Sequence, residues 1–202
     1  MTETIKKFIS ISIWSAITFF VLRCLFGWLE LSEVKNSGEY FKMLYTYWGY
    51  AGEAIALTTV FMWAFNQWLW KRKPLNILAG KMPVLSKKYK GNITYKDNKK
   101  EHSIETKIQI EQTFLFVNVK LYTGESISNS ITSNIKDENG TKMLVYTYLN
   151  TPKAELQNCS PIHYGTAMLN IDDTSHLTGN YFTSRKSCGS MDFVAVSGNT
   201  ED

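Results

Sequence analysis

Cysteine, histidine and proline are scarce in this 202-residue chain, at three, three and four residues. Cys24, Cys159 and Cys188 are widely spaced, odd in number and free of any CxxC pair. That excludes a disulfide framework and a thiolate zinc site, and it fits a reducing compartment. His102, His163 and His176 lack metal-ligand spacing and read as ordinary strand or turn residues. There is no GxxxxGK[ST] loop, GxGxxG turn, HExxH helix or GxSxG elbow, so nothing points to an enzyme, a metal or a resident cofactor. The acid pair Asp172–Asp173 sits in a turn signal and reads as a solvated turn. A net charge of +4, spread largely over turns, offers no surface for a DNA or RNA duplex.

What the chain does contain is divided unevenly. The mean hydropathy of -0.19 looks soluble, yet nearly all long apolar runs lie before residue 71. Residues 8–28, FISISIWSAITFFVLRCLFGW, supply the roughly 20 apolar positions needed to cross a bilayer as a helix. No small-x-small cleavage site follows, so the segment reads as a retained anchor rather than a signal peptide. A second span is expected over 43–70, with Tyr45, Tyr47, Trp48 and Tyr50 at one end and Trp63, Trp68 and Trp70 at the other, as in interfacial belts. Lys6 and Lys7 fall on the same side as Lys71, Arg72 and Lys73, whereas the connecting loop carries Glu30, Glu33 and Glu39. The positive-inside rule then gives a two-span hairpin with the N-terminus and everything after residue 71 cytoplasmic.

Glu53 interrupts the second span. A lone acid at a helix centre costs about 2.5–3.5 kcal/mol on insertion scales, so it needs a reason. It is either a shallow carboxylate reaching the outer interface or a polar contact in an assembled bundle, where Gly49 and Gly52 permit close approach. Arg23, near the outer end of the first span, is its candidate partner.

Residues 1–73 thus form the membrane part and 74–88 a linker, where Pro74 is expected to stop the helix and Pro83 to continue an irregular approach. From 89 to 202 the alternation is that of strands, expected at 89–95, 104–110, 114–122, 126–135, 142–150, 162–171, 176–183 and 189–196. KDNKK, TGE, KDENG, DDTS and SRKSC supply turn chemistry, and only 151–161 makes a longer excursion. Sequential antiparallel strands without crossover helices predict an eight-stranded up-and-down β-barrel, closed so that no edge is left unpaired, with a sandwich as the alternative.

In HLTGNYFTSRKSCGSMDF, alternation places Leu177, Gly179, Tyr181, Thr183 and Arg185 on one face. Turned inward, that face offers a stacking ring, a hydroxyl and a guanidinium, groups suited to bases and phosphates. Turned to solvent, Arg185 and Lys186 are only a hairpin tip. Tyr89, Gly91, Ile93 and Tyr95 share a face of the first strand, and Thr166 could contribute from the sixth.

On the order of its parts and on YKGNITY, HYGTAML and LTGNYFTSRKSCGSMDF, the whole chain resembles the two-transmembrane, β-strand-rich membrane effectors of cyclic-oligonucleotide-based antiphage signalling systems (CBASS). The resemblance implies a non-enzymatic effector whose barrel binds a cyclic dinucleotide made by a partner nucleotidyltransferase. It further implies that the protein then self-associates and disrupts the bilayer, killing the infected cell. Ligand contact is carried to Tyr181, Thr183 and Arg185, with Thr166 and Tyr89 as weaker candidates, and membrane assembly to Glu53 and Arg23. A membrane-tethered, lipocalin-like carrier of an apolar ligand and a filled structural barrel are the competing readings.

Overall fold

The computed structural model describes residues 3–31, 40–97 and 100–196. The loop acids Glu33 and Glu39, the tip of the KDNKK turn and residues 197–202 lie outside the described residues. The chain forms two compact units, Met1–Met82 and Pro83–Asp202.

In the first unit, the uninterrupted apolar run becomes α1, Glu3–Leu31, and the second becomes α2, Tyr40–Gln67. A helix satisfies its own backbone groups, which is what such sequences require wherever water is absent. The two run antiparallel: Gly27 faces the Tyr50 phenol, Arg23 meets Glu53, and Phe19 packs edge-on against Phe61 with ring centroids 6.0 Å apart. Tyr50, Ala54, Thr58, Met62 and Phe65 recur every three or four residues and form the buried stripe of α2. The Thr58 hydroxyl donates back to the Ala54 carbonyl at 2.7 Å, so it is not stranded. Large apolar side chains point outward, Phe26 and Trp48 being 75% and 76% exposed.

Among the described residues one helical stretch, Glu3–Gly27, is long and apolar enough to cross a membrane. α2 has the length, at 28 residues, but its tyrosines, tryptophans and Glu53 keep it outside that class, so the expected second span does not stand on composition. The linker also differs from expectation. α2 has already ended at Gln67, a 3-10 turn follows at Leu69–Lys71, and Pro74 opens a short helix, α3 (Lys73–Leu78), instead of stopping one. Proline suits the first helical turn, where its missing N–H has no intrahelical partner to lose. Gly80 and Lys81, at φ 83° and 54°, then end α3 in left-handed backbone, with the Lys81 N–H donated to the Asn76 carbonyl at 2.8 Å.

The second unit is a closed antiparallel barrel in the order β1 to β8. Its strands are β1 (Lys88–Asp97), β2 (Lys100–Gln112), β3 (Val117–Tyr122), β4 (Ser126–Glu138), β5 (Thr141–Pro152), β6 (His163–Asn170), β7 (His176–Thr183) and β8 (Cys188–Ala195). β1 also pairs with β8, from Tyr89↔Ala195 to Tyr95↔Gly189, which closes the ring and removes the sandwich alternative. β3 starts at Val117 and not at 114, because the Thr113 N–H is donated to the Phe116 carbonyl and turns the chain there.

One end of the barrel is apolar. Tyr89, Ile108, Ile110, Val119, Leu144, Leu169, Leu177 and Phe193 fill it. A barrel this narrow coils tightly, and two inward glycines mark where neighbouring backbones come too close for any side chain. A Cβ on Gly91 would collide with the Asp192 carbonyl, and one on Gly179 with the Met168 carbonyl.

The β3–β4 seam is the least regular. Its ladder spans only Lys120↔Asn129 to Tyr122↔Ile127, and the register of β4 against β5 shifts between Ser130 and Thr132. Serine hydroxyls stand in for the missing rungs: Ser130 Oγ accepts from the Val119 N–H at 2.9 Å, and Ser133 Oγ donates to the Val117 carbonyl.

Tyr146 is buried in the barrel and its hydroxyl has no hydrogen-bond partner among the described residues. An unsatisfied buried hydroxyl costs about 1–3 kcal/mol. Tyr146→Phe is therefore expected to raise the thermal midpoint of the unliganded protein by several degrees. An unchanged or lower midpoint would mean that the hydroxyl has a partner, such as an ordered water.

Candidate functional site

The turns at 123–125, 153–162 and 184–187 lie at the end opposite the start of β1, and this end is the mouth. Here the inward side chains are aromatic and hydroxylic instead of aliphatic. Two glycines make room for the rings. A Cβ on Gly165 would strike the Tyr148 ring, and one on Gly189 would meet the Tyr181 ring and the Thr94 carbonyl. Tyr148 and Tyr181 therefore lie over bare backbone of β6 and β8. Tyr95, at the end of β1, stacks on His102 of β2, its cross-strand partner, with ring centroids 5.3 Å apart and planes 20° from parallel.

Burial pushes the Tyr148 phenol up to about 12, helped by the neighbouring Tyr181. Burial also raises Tyr181, with Tyr95 and Cys188 adding to it. All three tyrosines are thus neighbours in one arc, and Tyr148 and Tyr181 are neutral O–H donors at physiological pH. Next to Tyr148 on the inner face of β5, Asn150 Nδ2 donates to Ser126 Oγ at 2.9 Å and to Ser128 Oγ at 2.8 Å. His163, paired across the ladder with Asn150, holds the Pro161 carbonyl through Nδ1 at 2.9 Å. Rings for stacking and neutral donors for oxygen atoms are thus gathered at one end.

The residues singled out from sequence fall in different places. Leu177, Gly179, Tyr181 and Thr183 do share the inner face of β7, whose exposure alternates accordingly. Tyr181 is part of the arc. The Thr183 hydroxyl is spent on Ser187 Oγ at 2.7 Å, in the turn after β7. Arg185 is not on the strand face: it lies in that turn, exposed, and donates to Ser160 Oγ at 2.7 Å across the rim. Thr166 does not join the inner face. Gly165, Ala167 and Leu169 point inward, and Thr166 points out to meet Thr147 Oγ1 at 3.2 Å, in an outer groove of about 270 Å³ with Tyr164 and Phe182. Tyr89 lies away from the mouth. It is wholly buried at the other end, accepting from the Ser86 N–H at 2.9 Å and donating to the Thr174 carbonyl at 2.8 Å. His102, Tyr148 and Asn150 were the residues passed over, and Tyr95 was noted only for sharing a face of the first strand with Tyr89. Alternation in YTYLN places Tyr146, Tyr148 and Asn150 on one face, and that signal was available in the sequence.

In the first unit, Arg23 Nε donates to Glu53 Oε2 at 2.6 Å, and its guanidinium carbon lies 4.1 Å from the centre of the Tyr50 ring. Glu53 thus has an intrachain partner, the one expected for it. Gly49 and Gly52 face open space in the single chain.

A small closed barrel with stacking rings and neutral donors at one end, in a chain that opens with a long apolar helix, defines a ligand-receptor class of protein. The particular family follows from comparison. The Cap15 cyclic dinucleotide receptor domain matches residues 80–194, and the chain belongs to that family of CBASS effectors. It is also 30% identical over 201 residues to CD-NTase-associated protein 15 of Staphylococcus schleiferi, covering 95% of this chain and 97% of that protein.

Proposed function

We propose that the mouth of the barrel binds the cyclic dinucleotide of a partner nucleotidyltransferase, and that binding drives self-association and disruption of the bacterial inner membrane, ending in death of the infected cell. The protein acts by binding and not by catalysis. The observation that carries the reading is the arc of Tyr148, Tyr181, Tyr95 and His102, with Asn150 beside Tyr148 on β5 and Arg185 on the rim. Aromatic faces accept bases of either type, neutral hydroxyls bond phosphate and ribose oxygens, and Arg185 can exchange a serine hydroxyl for a phosphate.

The outward apolar side chains of both helices support an arrangement in lipid. In it α2 also spans, its interfacial tyrosines and tryptophans lying at the two surfaces, and the barrel lies on the cytoplasmic side. Assembly would use the open face of α2 at Gly49, Gly52 and Glu53. Ligand shifts assembly only by its preference for the assembled form, so bound messenger must favour contacts the resting chain lacks. The apolar-carrier reading needs an apolar interior with room for a ligand, whereas the apolar half of this barrel is packed with its own side chains.

The test is thermal stabilisation of the full-length protein in detergent against a panel of cyclic dinucleotides. A ligand that binds only the folded state adds about 2.7 kcal/mol at a hundred times its Kd. One member is expected to raise the barrel transition by several degrees, with the rise lost in Tyr181→Ala. A folded protein indifferent to every member would remove the receptor reading.

A further inference from the structure

We propose that Asn150 reads a base edge: its amide is held so that Oδ1 accepts an N–H from a nucleobase of the bound cyclic dinucleotide. This deepens the receptor reading above and rests on it. Asn150 follows Tyr146 and Tyr148 along the inner face of β5, and lies opposite Ser128 on β4 and His163 on β6. An amide nitrogen carries two N–H donors, and here both are spent, on Ser126 Oγ at 2.9 Å and Ser128 Oγ at 2.8 Å.

The acceptors are themselves fixed. Ser128 is 3% exposed on β4, and Ser126 Oγ lies 3.1 Å from Thr123 Oγ1 in the turn that joins β3 to β4. Turning the amide over would set Oδ1 against both serines and require each to turn its hydroxyl proton toward it. Its carbonyl oxygen has no hydrogen bond among the described residues, although the side chain is only half exposed. The atom is open to water in the free chain, so a ligand that covers it must supply a donor of its own. A base stacked on the aromatic arc presents its N–H groups in the ring plane, at its edge. Phosphate oxygens supply no donor.

The specificity follows from chemistry. A site built to bond an N–H rejects the analogue that lacks it, because the bound base then covers the acceptor and leaves it unpaired. The experiment measures Kd for full-length protein in detergent, with the best-binding cyclic dinucleotide and with analogues methylated at each base N–H in turn. For the native protein, one methylation is expected to weaken binding by about tenfold to a hundredfold. In Asn150→Leu the parent ligand should weaken by a similar factor, and the same methylation should cost nothing more. The double variant Ser126→Ala/Ser128→Ala keeps Asn150 but frees its amide, and should lose most of the discrimination while the unliganded midpoint shows that it is folded.

Equal methylation penalties in native protein and Asn150→Leu would overturn the assignment. So would a penalty that follows removal of a ribose hydroxyl instead of a base N–H. If the native protein bound no cyclic dinucleotide, the receptor reading itself would fail, an outcome distinct from native binding that is insensitive to Asn150.

Discussion

Gly179→Ala is expected to cost the barrel on the order of 4 kcal/mol or more, a fall in its thermal midpoint of roughly 15 °C. The reason is local. A methyl group there meets the Met168 carbonyl and the Leu169 backbone, which are rungs of the β6–β7 ladder and cannot swing aside as a side-chain tip can. Relief would require β6 and β7 to separate, and a closed ring transmits that separation to every neighbour. Gly124→Ala is the control, since nothing lies within 4 Å of its Cβ position, and it should shift the midpoint little. Thermal melts of the two variants in detergent decide the matter. A Gly179→Ala midpoint within a few degrees of the native value would mean that the strands are not held as closely as described.

The second large effect concerns Arg23 and Glu53. Either residue alone in hydrocarbon carries the full cost of a solitary charge, about 2.5–3.5 kcal/mol on insertion scales, and breaking a desolvated pair by removing one partner typically costs about 3–5 kcal/mol. Arg23→Leu and Glu53→Leu should therefore each loosen the α1–α2 hairpin, read as faster proteolysis in lipid nanodiscs. The double variant Arg23→Leu/Glu53→Leu should recover native resistance, since an apolar pair needs no compensation. Single variants as resistant as the native protein would place the pair in water or headgroups. Glu53→Leu is also expected to insert normally yet weaken membrane activity when the messenger is made in the same cell. Full activity would remove Glu53 from assembly.

Much of the barrel was legible because strand alternation and turn chemistry are local signals. Every expected strand has a counterpart, and the misplaced boundary at 114 reflects a turn closed by the Thr113 hydroxyl and backbone, which alternation does not register. The helix ends were less legible. Pro74 has the same chemistry whether it stops one helix or starts another, and only the earlier end of α2 decides between them.

The candidate site was legible one strand at a time and not across strands. The inner face of β7 could be read from its own residues, which gave Tyr181. That Tyr181 lies beside Tyr148 and Tyr95 depends on glycines at 165 and 189, on two other strands, and no periodicity within one segment reports it. The outward orientation of Thr166 was hard to read for the complementary reason: its neighbours Gly165 and Ala167 are small, so the apolar alternation that would mark it as outward-facing is weak in the sequence. Tyr89 faces inward as expected, but facing inward does not say at which end of the barrel a residue lies.

The β3–β4 seam gives the ring a direction. This joint has the shortest ladder of the eight, and beyond it depends on the hydroxyls of Ser130 and Ser133, bonds that water can replace with little loss. Local opening samples the least costly break first, so thermal breathing should concentrate here. The turn that joins these two strands is part of the mouth, and the serines that orient Asn150 lie on β4 just after it. The paired part of the seam is the part next to that turn, so opening that starts at Ser130 and Ser133 reaches Ser126 and Ser128 only after the rungs from Lys120↔Asn129 to Tyr122↔Ile127 have parted: the weak stretch and the mouth are separated by the seam's own short ladder.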